Sequence, residues 1–326
     1  MAGVALSILL LWWTLHDVQL RDVLDNARRA NRAWLILSVA LATLTFPIRA
    51  WRWQLMLRGP AGERLPFAPL WHAVAVGFMA NNLLPARAGE FARAYMAGHQ
   101  GAGPRFTTAL ASIGVERVFD GLTIVGLLAC GILSPSFPRD AVIQGVPVGR
   151  LVLTFGLAFA AALVVALAVV LRPLFWLGLA GRTLRVVLPE RFAARVVGVL
   201  EGLVGGLAVL RSPQRFAGVL AWSVVLWLVN AASFLACFYA FGIAVPTEAA
   251  LVLQGFIAFG VAVPSTPGFV GVFEAIARVT LAFYGVASDV AVSYALTYHI
   301  TTFIPITLLG LWSLSRARVR LSELRA

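Results

Sequence analysis

The sequence has no lysine and little charge of either sign. Charged residues make up 12% of its 326 positions, about half the share of an ordinary soluble domain. All 26 basic residues are arginine, set against 14 acidic ones, for a formal net charge of +12. The absence of lysine excludes Schiff-base and lysine-base chemistry. The two cysteines, Cys130 and Cys237, both lie in apolar runs and read as small core residues, not as a disulfide scaffold or metal ligands. Neither a His-Glu-x-x-His zinc motif nor a Gly-x-Ser-x-Gly nucleophile elbow occurs. No cofactor is expected. The arginines sit in loops between apolar segments and form no continuous basic stripe, which argues against nucleic acid as the partner.

What is abundant is apolar sequence: 60% hydrophobic residues and a mean hydropathy of +0.89. Leu151–Leu171 and Phe216–Thr247 carry no charge at all. A hydrocarbon core about 30 Å thick needs roughly 20 apolar residues in helix. Both runs meet that length, so the chain reads as an all-α, polytopic helical membrane bundle, a single integral membrane domain over 1–326. The N-terminus lacks a positive n-region and a small-residue cleavage site, and reads as a retained helix.

Met1–Leu15 is short for a span, and His16–Arg32 reads as a loop. Ala33–Leu57 is a helix interrupted by Pro47. Trp71–Leu84 and Ala86–Ala97 are two short arms broken at Pro85, and Phe106–Leu133 is a span. Arg172–Arg215 is a basic connector. Within it Phe192, Val196, Val199, Leu203, Leu207 and Leu210 recur at steps of three and four, the pattern of an amphipathic surface helix. Phe216–Phe241 is a span, Ala249–Val263 and Phe269–Tyr284 are again short arms broken near Pro264, and Val290–Leu314 is the last span.

The connector and the tail are the most arginine-rich segments and are assigned to the cytoplasm. Phe216–Phe241 then runs outward and Val290–Leu314 returns. Each pair of short arms starts and ends on one side, as a re-entrant hairpin or as two crossings, and their length favours the hairpin. The first pair opens from the cytoplasm, the second from outside. Pro85-x-x-x-Gly89 is repeated as Pro264-x-x-x-Gly268. The pattern predicts an inverted-topology repeat, 33–133 against 216–314, with broken helices meeting near the midplane to form a substrate site.

Ionisable groups inside apolar helices cost about 2.5 to 3.5 kcal/mol each at a helix centre and therefore mark the site. The first group is Asn81-Asn82-Leu83-Leu84-Pro85-Ala86-Arg87-Ala88-Gly89-Glu90-Phe91-Ala92-Arg93. Backbone N–H groups freed at the break can hold an anion, and Arg87 and Arg93 bring bidentate donors suited to phosphate. The plainer alternative is that Glu90 neutralises one of them. The second group is Glu116-Arg117-Val118-Phe119-Asp120, whose two carboxylates share a helical face and can partner Arg87 and Arg93, or Arg49 and Arg52 on the neighbouring helix. The third is Gly268–Glu274 with Arg278 one turn on, where Glu274 and Arg278 have the spacing of a local ion pair and Glu274 is also a candidate proton or headgroup partner. His72 and His299 read as hydrogen-bonded packing residues.

These three blocks resemble the lysylphosphatidylglycerol synthase/flippase transmembrane family, over about residues 5–315. Asn-Asn-Leu-Leu-Pro-Ala-Arg-Ala-Gly-Glu is the most specific of them. The resemblance implies a helical bundle with re-entrant elements that moves lipids across the bilayer. The family's two-part members add an aminoacyl-transfer domain, which has no counterpart within these 326 residues, so non-enzymatic lipid translocation is expected. The runner-up is a transporter of a small soluble anion. A membrane enzyme on lipid-linked substrates survives through the paired carboxylates Glu116 and Asp120. The expected partner is an anionic membrane lipid, and a bacterial inner membrane is the expected location.

Overall fold

A computed structural model describes the chain apart from residues 1, 17, 59–61, 85–87, 100–102, 139–141, 144, 148–149, positions within 151–171 and 188–211, 262–265 and 317–326. The described residues are overwhelmingly helical. The helices with defined bounds are α1 (Ala2–Leu15), α2 (Leu20–Arg29), α3 (Arg32–Met56), α4 (Phe67–Leu83), α5 (Gly89–His99), α6 (Phe106–Leu133), α7 (Pro173–Val187), α8 (Pro213–Ala240), α9 (Ala249–Gly260), α10 (Val272–Ala282) and α11 (Ser288–Arg316). A 3₁₀ turn, Pro267–Phe269, precedes α10, and a two-residue β-ladder pairs Val142–Ile143 with Val146–Pro147.

Local chemistry sets the helix starts. The Asn31 side chain accepts hydrogen bonds from the N–H groups of Ala33 and Trp34 and so caps α3. Ser212 caps α8, with Pro213 at its first position. Helices α3, α8 and α11 are long and apolar enough to cross a membrane. Large side chains such as Ile36 and Leu308 point outward, 69% and 60% exposed. That surface suits lipid and not water.

The helices fall into two matching sets. The starts of α3, α4, α5 and α6, at Arg32, Phe67, Gly89 and Phe106, are followed by those of α8, α9, α10 and α11, at Pro213, Ala249, Val272 and Ser288, with offsets of 181, 182, 183 and 182 residues. Packing repeats as well. Helix α4 lies on α11 as α9 lies on α6; α5 lies on α6 as α10 lies on α11; and α3 touches α11 as α8 touches α6. Helices α3 and α8 pair with each other, and their contacts run antiparallel: Trp34 against Tyr239, Trp51 against Trp222. Two equivalent helices that cross antiparallel are related by a two-fold axis normal to both. The α3–α6 and α8–α11 sets thus pack in the same pattern.

The arms α4, α5, α9 and α10 hold 17, 11, 12 and 11 residues, about 16 to 26 Å each at 1.5 Å per residue. All are shorter than the bilayer core. The two turnarounds meet: a Cβ placed on Gly268 would lie 3.6 Å from the Asn82 carbonyl oxygen. Pro85 and Pro264 themselves lie outside the described residues.

Several expectations change. His16–Arg32 holds a helix, α2, whose Leu20, Val23, Leu24 and Ala27 recur at helical spacing while Asp22 and Arg28–Arg29 complement its dipole. It packs on α11, where Asn26 donates to Asp289 at 3.1 Å. Pro47 does not break α3, which continues through it with Phe46 and Ile48 buried. The connector contains α7. Most of the Leu151–Leu171 span and of the amphipathic helix after Pro189 lies outside the described residues.

Candidate binding site

The first hairpin folds tightly because two glycines face each other across it. A Cβ on Gly89 would collide with the Gly77 carbonyl, and one on Gly77 would lie 2.9 Å from the Arg93 Cβ. Asn81 Oδ1 accepts from the Gly89 N–H at 2.9 Å, capping α5 across the break. Asn82 donates to Thr307 Oγ1 on α11 at 2.9 Å. These bonds aim α5 so that Arg93 points into the bundle.

There it meets the carboxylates of α6. Arg93 binds Glu116 through both terminal nitrogens, at 3.0 and 2.9 Å, with its guanidinium 3.8 Å above the Trp53 ring. Trp53 is fixed in turn by donating to Ser112 Oγ at 2.8 Å. Arg52 donates to Asp120, lies 3.0 Å from Glu116 and reaches Ser223 on α8 at 2.8 Å. Trp227, also on α8, donates to Asp120 at 2.9 Å. Arg117 joins Glu116 at 3.0 Å and Asp120 at 3.6 Å. Glu90, half-buried on α5, acts electrostatically on Arg117.

Arg49 is different. Its guanidinium stands 5.0 Å from the Phe78 ring centre and 5.4 Å from that of Trp227, and its nearest carboxylate oxygens are at 3.8 and 3.9 Å. Its Nε and Nη1 are buried and make no hydrogen bond among the described residues. Among the described residues the cluster thus sets four guanidiniums, Arg49, Arg52, Arg93 and Arg117, within 4 Å of two carboxylates, Glu116 and Asp120, with Glu90 acting on Arg117 from the edge. Three of the four arginine side chains are at most 7% exposed, whereas Arg117 is 37% exposed. Glu116 and Asp120 lie 10 and 14 residues into α6, about 15 and 21 Å along it.

The second half carries no such lattice at matching positions. With an offset of 182, Arg52, Glu116 and Asp120 correspond to Phe234, Tyr298 and Thr302. The contact geometry is kept while the chemistry changes: the rings of Phe234 and Tyr298 lie 4.6 Å apart where Arg52 meets Glu116. Arg117 corresponds to His299.

The structure therefore gathers Arg49, Arg52, Arg93, Glu116, Arg117 and Asp120, with Glu90 at their edge. Asn81 and Asn82 support the hairpin beside them, and Arg87 lies outside the described residues. Glu274 belongs to the other half, bonded to Gly271 N–H and to His299. Arg278 donates to the Trp13 and Thr14 carbonyls at the C-terminus of α1, at 3.0 and 2.9 Å. Ser223, Trp227, Trp53 and Phe78 complete the site without having been singled out by sequence. As neutral residues in apolar helices they carry no signal there.

The lysylphosphatidylglycerol synthase TM region family matches residues 1–310. The chain belongs to that family. Membership and the apolar helices together make it a membrane-embedded protein related to lipid handling. It is also similar to the glycosyltransferase AglD of Haloferax volcanii, 32% identical over 126 residues. That stretch is 39% of this chain and 20% of the archaeal protein, so the match spans about a fifth of the relative's length.

Proposed function

We propose that the protein moves an anionic, phosphate-bearing lipid between leaflets without altering it chemically. The observation that carries this is the gathering of arginines inside the bundle, with Arg49 buried and its Nε and Nη1 making no hydrogen bond among the described residues. Burying one guanidinium is tolerated when a carboxylate pairs with it. Four guanidiniums gathered about Glu116 and Asp120 make an arrangement suited to an anion, and Arg49 holds unused donors toward it. A phosphate diester matches those donors in charge and geometry. Arg117, the exposed member, offers the approach, and the acyl chains stay in lipid alongside.

The two-fold packing supports the same reading. Inverted repeats with re-entrant hairpins expose one midplane site to either side in turn. Assigning the arginine-rich connector and tail to the cytoplasm supports a charged cluster open toward that face. The aromatic cluster of Phe234 and Tyr298 is its outward counterpart.

Two other readings make different demands. A small-anion transporter needs uptake of a soluble anion into vesicles. An enzyme, in keeping with the glycosyltransferase name of the relative, needs a chemically new lipid. Purified protein in nanodiscs should retain phosphatidylglycerol over phosphatidylcholine by roughly tenfold, and Arg49→Gln should remove that preference. Equal retention of both lipids would refute the anion site.

A further inference from the structure

The second hairpin ends in an unusual backbone. Gly268, Phe269 and Gly271 all have positive φ, at 67°, 61° and 86°. Phe269 is a bulky side chain in the left-handed region, a conformation held only by its surroundings. The restraint is His299 on α11. Its Nε2 lies 2.8 Å from the Gly268 carbonyl oxygen and its Nδ1 2.6 Å from Glu274 Oε1. Glu274 Oε2 accepts from the Gly271 N–H at 2.7 Å. One imidazole therefore ties both ends of the strained turn to α11.

Hydrogen-bond counting fixes the proton content of this arrangement. A carbonyl only accepts, so Nε2 must carry a proton. The Nδ1–Oε1 contact then needs a proton as well, either on Nδ1 as imidazolium facing carboxylate or on Glu274 facing a neutral ring. Remove that proton and two lone pairs face each other. A neutral imidazole has one N–H and can keep Gly268 or Glu274, not both. We propose that Glu274 and His299 form a proton-binding site that latches the tip of the second hairpin. Loading it holds Gly268 against α11 beside Asn82 of the first hairpin. Unloading it breaks one arm of the latch and returns the proton to water.

The surrounding elements bring few competing charges. Arg278, one turn along α10, is the nearest cation in sequence and is engaged with carbonyls of α1. From α11, Tyr298 bonds Ser233 of α8 at 2.9 Å, and Tyr294 stacks beside it. From α1, Ser7 bonds Thr266 and brings no titratable group. Phe273 and Phe303 pack beside the ring, at centroid distances of 4.8 and 6.3 Å. The use of this proton to drive lipid movement rests on the translocase reading; the site itself does not.

The test is amide exchange at Gly268–Gly271 in the purified full-length chain, between about pH 5 and about pH 9. Glu274→Gln is the informative variant: its amide oxygen keeps Gly271 and its NH₂ donates to a neutral ring, imitating the loaded latch permanently. Comparing the two proteins at each pH cancels the intrinsic pH dependence of exchange. Wild-type should match Glu274→Gln at low pH and exchange at least about tenfold faster than it at high pH. His299→Asn, which cannot span both partners, should exchange fast throughout. Profiles that coincide at every pH, or protection kept in His299→Asn, would overturn the latch. Exchange as expected in a protein that moves no lipid leaves the proton site standing and removes the translocase reading.

Discussion

Ser38 and Ser233 hydrogen-bond each other's carbonyl oxygens reciprocally, at 2.8 and 3.0 Å, across the antiparallel crossing of α3 and α8. The exchange clamps one end of the crossing and so fixes how the two halves sit together, one carrying a charged lattice and the other an aromatic one. With α8 about 42 Å long at its 28 residues, its flanks belong on opposite sides of the membrane. Single cysteines at Ser212 and Thr247 should label from opposite faces of intact cells; labelling of both from one face would overturn the inverted arrangement.

Arg52 and Arg49 lie one turn apart on α3 and have different tasks. Arg52 is fully buried and engaged by Asp120, Glu116 and Ser223. Asp120→Ala leaves Arg52 with Glu116 alone of its two carboxylates, adds to the excess of buried positive charge and should destabilise by about 3–5 kcal/mol. Thermal melting in detergent is the measurement. A variant as stable as wild-type would show the lattice to be wet.

Hairpin closure depends on the absence of a side chain at Gly89, where a Cβ would meet the Gly77 carbonyl and lie 2.6 Å from Asn81 Oδ1. Gly89→Val should cost about 1–3 kcal/mol or more through overpacking. Gly114→Ala has nothing within 4 Å and sits in α6, so it should be neutral or gain up to about 1 kcal/mol. Equal effects of the two would mean that the arms do not pack as described.

Outside the membrane-spanning segments, Glu248 ties the start of α9 to the end of α6 by accepting from Ser134 at 3.0 Å. Hydrogen bonding from its own backbone, then from Ser134, holds its carboxyl below the usual glutamate value. A depressed folded-state value adds stability above the unfolded value, near pH 4.5, and loses it as pH falls through the folded one. The melting difference between wild-type and Glu248→Gln should therefore be present at neutral pH and vanish in acid. A difference that grows on acidification would have the wrong sign.

Much of this was legible because charge is rare here. Glu116, Arg117 and Asp120 stand out in an apolar helix, as do Arg49 and Arg52, and their convergence follows from the cost of leaving any of them in lipid. The breaks between α4 and α5 and between α9 and α10 showed through Pro85 and Pro264. Helix α2 was hidden because its charges resemble those of a loop. The role of His299 was hidden because an imidazole's partners depend on the fold and not on spacing. Glu274, read as a partner for Arg278 or for a proton or headgroup, sits at the third position of α10, where a carboxylate reaches back to the Gly271 N–H. Ser223 and Trp227 lie in a span without charge, and only the antiparallel crossing of α3 and α8 brings them to Arg52 and Asp120.

The central claim is that Arg49 handles the headgroup. In liposomes holding purified protein, a headgroup-labelled phosphatidylglycerol should become accessible to an external quencher faster than in empty vesicles. Arg49→Gln should slow that rate at least about tenfold, the loss of one charge-assisted phosphate contact. Arg28→Gln, on the exposed face of α2, should leave it unchanged. Equal rates for wild-type and Arg49→Gln across several anionic lipids, or recovery of the lipid as a new chemical species, would contradict the account.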